Sequence, residues 1–145
     1  MKRIIVLFVS LLIFAAVGSA NAQDAKAYKE GHVTRVNFVK VKPGQFNNYM
    51  KYLDGPYKAQ MEALKKAGLI TGYAIYSEEA RTPQDADLVL TITYPNMAAL
   101  DRTDEADAIA TKTIGPMDER DKASMDRESM RELQGSLLTR ELILK

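Results

Sequence analysis

The sequence predicts an α+β protein with one antiparallel sheet and helices on one of its faces, made as a precursor for export. Three observations predict this. Two basic residues at the N-terminus are followed by an uncharged apolar run. Beyond that run, segments with the two-residue alternation of strands and segments with helical spacing follow one another in the order β-α-β-β-α-β. Pro-Gly, Gly-Pro and Pro-Asn pairs fall at or inside the expected breaks between them.

Lys2 and Arg3 form a short positive region, and Ile4 to Val17 carry no charge. Ala20 and Ala22 fit the small-x-small pattern of a signal peptidase site, so residues 1–22 are expected to be a signal peptide cut before Gln23. The apolar run of 14 residues is shorter than the roughly 17–25 that a spanning helix needs, so no stable membrane anchor is expected after cleavage. The protein is therefore expected in the periplasm or outside the cell. Residues 23–31 are polar and are expected to form a flexible leader, and 32–145 a single domain.

His32 to Lys42 reads as the first strand, with Thr34, Val36, Phe38 and Lys40 on one face and Val33, Arg35, Asn37, Val39 and Val41 on the other. Pro43-Gly44 ends it. Gln45 to Ala67 reads as a long helix, because Phe46, Met50, Leu53, Tyr57, Met61 and Leu64 form one stripe. Gly55-Pro56 interrupts this helix without changing the phase of the stripe, which implies a kink, with Asp54 as a cap for the restart. Ile70 to Ser77 and Ala86 to Tyr94 are the second and third strands, and Asn96 is an expected N-cap. Met97 to Ile114 is helical, in two pieces around Thr103-Asp104. Pro116 opens a charged helix expected to run to Leu133 and to end at Gly135, and Ser136 to Leu144 is the last strand. This order is the ferredoxin-like split βαβ arrangement.

Composition narrows the chemistry. The chain has 20 basic and 19 acidic residues, and cleavage before Gln23 would leave a net charge of −1, which gives no footprint for nucleic acid. There is no cysteine and a single histidine, His32, so the usual metal-ligand spacings are missing and no metal is expected. No Gly-rich nucleotide loop and no G-x-S-x-G occurs, and no cofactor is expected.

Two groups of residues are candidates for a site. Arg35 and Asn37 on the first strand, Thr91 on the third and Glu141 on the fourth can form a partly buried polar cluster, with Arg35 as the partner of a carboxylate-bearing or other small polar ligand. Cross-strand pairing or an interfacial salt bridge accounts for the same residues without a ligand. Tyr49, Tyr52, Tyr57, Tyr73 and Tyr76 can line an aromatic pocket or simply fill the core, and Tyr76 joins the ligand-pocket set. The stretch 118–132 mixes both signs of charge and reads as an exposed helix face.

The element order, the length and the junction Val41-Lys42-Pro43-Gly44-Gln45 resemble the dimeric α/β-barrel superfamily, in particular its antibiotic-biosynthesis-monooxygenase-like and EthD/NIPSNAP-like members. The resemblance covers about residues 32–144. It implies a homodimer in which two sheets pack face to face, with a pocket between each sheet and its helices or loops. It also implies binding of a small organic molecule, or its cofactor-independent transformation, cofactor-free oxygenation included. Haem-degrading members use a histidine in the second helical region, and residues 97–133 contain none. The rival expectation is a non-catalytic structural or interaction protein of the envelope whose sheet face serves only to dimerise.

Overall fold

The strand β1, Tyr28–Val41, is the spine of the fold, and the two strands that flank it, β3 (Leu88–Tyr94) and β4 (Arg131–Leu144), are both antiparallel to it. The computed structural model describes residues 26–79 and 81–145; the expected signal peptide and its cleavage residues Ala20, Ala22 and Gln23 lie outside the described residues. The sheet has the order β2-β3-β1-β4, with β2 Gly72–Ser77, β3 Leu88–Tyr94 and β4 Arg131–Leu144. All three pairings are antiparallel, as the ferredoxin-like order requires.

The first strand begins four residues earlier than its periodicity suggests. Tyr28, Lys29 and Glu30 pair with Leu144, Ile143 and Leu142, so the expected leader is already sheet at Tyr28. An alternation rule misses this segment because its polar residues sit at the end of a two-stranded ribbon, beyond the last β3 pair at Val33, with no helix to bury them.

The turn after β1 uses Gly44 at φ +76, a backbone state that costs an L-residue about 1–2 kcal/mol. Helix α1, Phe46–Tyr52, then runs into a wide π-helical turn, Leu53–Tyr57, before α2, Lys58–Lys66. Pro56 has no N–H and its ring crowds the preceding turn, and Gly55 absorbs the distortion at φ −94, ψ −107. The expected kink is therefore present and the stripe keeps its phase: Leu53, Tyr57 and Met61 are all buried. Two details differ. Tyr49 is buried while Phe46 is half exposed, and Asp54 caps nothing, its carboxylate accepting from Lys58 Nζ at 2.9 Å instead.

A 3₁₀ turn at Met97–Asp101 is capped by Asn96, whose Oδ1 accepts from the Ala99 N–H at 3.1 Å. Helices α3, Thr103–Ile114, and α4, Met117–Met130, meet at Gly115, φ +97, with Pro116 as the N-cap of α4. The end of α4 corrects the sequence reading. The helix stops at Met130 and β4 starts at Arg131 with no loop, while Gly135 lies inside the strand opposite Phe38. A helix end normally needs a residue such as glycine to satisfy its last carbonyls. Here Lys42 supplies that service from β1: its N–H donates to Met130 O at 2.9 Å and its ammonium to Glu128 O at 2.7 Å.

The core lies between one face of the sheet and the helices. Val39, Val41, Leu88 and Leu90 come from the sheet, and Tyr49, Leu53, Tyr57 and Met61 from the helices. The other face carries Val36, Phe38, Val89, Thr91, Ala74, Tyr76 and Leu137; none of these is fully buried, and Tyr76 and Leu137 are largely exposed. No helix among the described residues is long and apolar enough to cross a membrane.

Candidate functional site

The sheet divides the sequence-predicted cluster. In an antiparallel pair, directly opposed residues share a face. Arg35 opposes Ile92 and Asn37 opposes Leu90, so both face the helices. Thr91 opposes Val36 and Ala74, and Tyr76 opposes Val89, so both lie on the open face. Glu141 sits in the projecting ribbon, with Oε2 3.5 Å from His32 Nδ1. The five residues do not form one pocket. Reading polarity strand by strand misses this, because the odd positions of β1 pair with the even positions of β3.

Asn37 does line a cavity, of about 210 Å³, between the sheet and the helices. Val39, Leu90 and Leu133 form its sheet wall, Tyr49, Tyr52 and Tyr57 its helical wall, and Arg127 and Arg131 the α4 side. Three of the five tyrosines line this cavity, Tyr49 and Tyr57 as core residues at the same time; Tyr73 packs edge-on against Tyr57, ring centroids 6.1 Å apart, and Tyr76 is on the opposite face. Arg35 lies elsewhere under the helices, in a second hollow with Leu64, Tyr94 and Arg102, its guanidinium 5.8 Å from the Tyr94 ring centroid.

Local structure explains how the tyrosines converge. Tyr49 and Tyr52, three residues apart on α1, stack with centroids 5.9 Å apart. The π turn then brings Tyr57 back to the core side. A β-bulge sets the sheet wall. Between the pairs Phe38–Gly135 and Val39–Leu133, Gln134 is an extra residue in β4. Its amide donates to the Gln84 carbonyl, which ties the bulge to the β2–β3 loop. The bulge lets Leu133 and Ser136 share the helix-facing side, and Ser136 Oγ bonds Asn37 Oδ1 at 2.8 Å.

The arginines were hidden in the stretch read as an exposed helix face. Arg120, Ser124 and Arg127 are spaced by four and three, the spacing of one helical face, and Arg131 follows as the first residue of β4; all four are partly buried where most of α4 is exposed. Arg127 Nη1 donates to Tyr52 Oη at 3.0 Å and Nη2 to Ser124 Oγ at 2.8 Å. Its central carbon also lies over the Tyr52 ring, 5.8 Å from the centroid, at the outer edge of the cation–π range. Arg131 Nη2 donates to Glu128 at 3.0 Å. The Nε atoms of both arginines and the Tyr57 hydroxyl are buried with no hydrogen-bond partner.

Burial pushes the Tyr57 hydroxyl well above the usual phenol range, and neighbouring Tyr49 and Tyr52 reinforce the effect. Burial also raises Tyr49, against the opposing pull of Arg131 and Arg127. Both are neutral phenols at pH 7, able to donate a hydrogen bond but poor bases.

No protein-family model matches this chain, and no curated protein does. Solved structures match its fold. HapK from Hahella chejuensis superposes with a TM-score of 0.51 at 13% identity, over 75% of this chain and 91% of that one. A dimeric ferredoxin-like protein from an uncultured marine organism gives 0.51 at 8% identity, over 81% and 98%. A second such protein from an uncultured marine organism gives 0.50 at 9% identity, over 81% and 90%. The chain therefore has a ferredoxin-like fold, the class to which its element order points.

Proposed function

We propose that this is an exported homodimer that binds a small organic molecule in the cavity between sheet and helices of each protomer. The observation that carries the reading is the cavity itself: about 210 Å³ walled by three tyrosines and two arginines, with three buried polar atoms that no protein group satisfies. A few convergent polar groups in an otherwise apolar hollow are the usual makings of a ligand site. The dimer rests on the open sheet face. Val36, Phe38, Val89 and Leu137 lie side by side there, uncovered by any helix among the described residues, and proteins of similar fold are described as dimeric.

The rival, a structural protein whose sheet only dimerises, needs the open face but has no use for the cavity. Native mass spectrometry of protein purified from its own host separates the two. A dimer with a retained small molecule is expected, and its N-terminus should be Gln23. A ligand-free dimer favours the structural reading, and a monomer at micromolar concentration rules out the paired sheets. Val36→Lys places a charge in the middle of the proposed interface and should convert dimer to monomer while leaving the circular dichroism spectrum unchanged.

A further inference from the structure

We infer that the molecule taken by this cavity is a small aromatic carboxylate, its anionic group held by Arg127 together with Arg131. The inference rests on the reading of the cavity as a ligand site and adds the class of ligand. The inward face of α4 presents Arg120, Ser124 and Arg127, with Met130 as its apolar contact to the core, and Arg131 follows at the start of β4. The charges on that face are unequally matched. Arg120 pairs with Asp107 at 2.8 Å and Arg131 with Glu128 at 3.0 Å. Arg127 has no carboxylate partner among the described residues, and its two Nη groups rest on the neutral hydroxyls of Tyr52 and Ser124.

A partly buried guanidinium without a counter-ion is costly unless an anion completes it. Arg127, Arg131 and Tyr57 wall this one cavity, and each has a closed-off polar atom, Nε or Oη, without a protein partner; Arg120 Nε, outside the cavity, is unpartnered too. A guanidinium presents a planar fork that matches a carboxylate, and a neutral tyrosine hydroxyl can donate a third bond.

Size and lining choose the rest of the ligand. A cavity of about 150 Å³ accepts benzene, so 210 Å³ accepts a benzene ring with a carboxylate, whose added volume is on the order of two waters. Tyr49, Tyr52, Val39, Leu90 and Leu133 give the ring an aromatic and aliphatic bed.

The test is isothermal titration of the dimer with benzoate, its neutral isostere benzamide, and inorganic phosphate. Benzoate should bind once per protomer, and benzamide and phosphate at least about tenfold more weakly, since a charge-assisted bond to a buried donor is worth that much or more. R127Q should lower benzoate affinity by about tenfold to a hundredfold, with R127K recovering part of it. R131K serves as the second variant if R127Q does not fold, and should lose affinity because a single ammonium cannot fork. Benzamide binding as tightly as benzoate overturns the inference while leaving the cavity a ligand site. Phosphate binding as tightly as benzoate overturns the aromatic part, and folded R127Q with unchanged affinity overturns the assignment to Arg127. If neither benzoate nor benzamide binds at about 10 mM, some four orders above a micromolar site, the inference falls, and a ligand-free dimer from the native host then removes the ligand reading with it.

Discussion

Tyr57→Phe should make the ligand-free protein more stable and its cavity a poorer host. Tyr57 is buried, and its hydroxyl has no hydrogen-bond partner. An unsatisfied buried hydroxyl costs about 1–3 kcal/mol, so removing it should return at least about 1 kcal/mol. Phenylalanine keeps the ring, and with it the edge-on contact to Tyr73 at 6.1 Å and 81°. No packing is lost to offset the gain. For a domain of this length, about 1 kcal/mol raises Tm by roughly 4 °C. The assay is urea and thermal unfolding of protein stripped of any bound molecule, followed by titration of the same samples with benzoate. The variant should unfold later and bind less tightly. If Tyr57→Phe instead destabilises the empty protein by about 1 kcal/mol or more, the hydroxyl has a structural partner, and the reasoning that assigns it to a ligand fails.

Two further outcomes test the fold. Leu53 is 1% exposed where the π turn meets the sheet, so Leu53→Ala should cost about 2–5 kcal/mol in denaturant unfolding; a loss below 1 would mean the turn is loosely packed. Asp87 accepts from Lys40 Nζ at 2.9 Å and from the Val41 N–H at 2.8 Å. Burial alone would raise its pKa, but these two bonds and the Lys40 charge hold it below the ordinary 3.8. Its stabilisation is therefore complete above pH 3.8 and is lost as pH falls through the depressed value. Asp87→Asn should lower stability at pH 7 and flatten the decline on the acid side of pH 3.8; an unchanged acid limb would remove Asp87 as its source.

Element order was legible because both periodicities are strong: Leu88, Leu90, Ile92 and Tyr94 alternate, and Leu53, Tyr57 and Met61 keep phase through Pro56. What escaped depends on partners remote in sequence. The end of α4 is set by Lys42, 88 positions before Met130, so no local glycine marks it. The Gln134 bulge, which decides which β4 side chains face the helices, becomes visible only once β4 is paired. The site was half legible. Asn37 and three tyrosines were among the candidates, whereas Arg127 was concealed by exposed acids on the same helix, although its spacing with Arg120 and Ser124 marks an inward face, and Arg131 by an expected helix end that lies beyond the true one.

The long β1–β4 ribbon also sets the order in which the chain can finish folding. Tyr28 pairs with Leu144, 116 positions away, so the central strand waits for β4 before its second edge closes. Pairings across so much sequence form slowly, since the entropy of closing the loop is lost before the contacts reward it. A chain emerging from the ribosome therefore lacks a complete sheet until β4 has been made. For the export route proposed above, that delay keeps the polypeptide threadable during the interval in which a translocation channel must receive it.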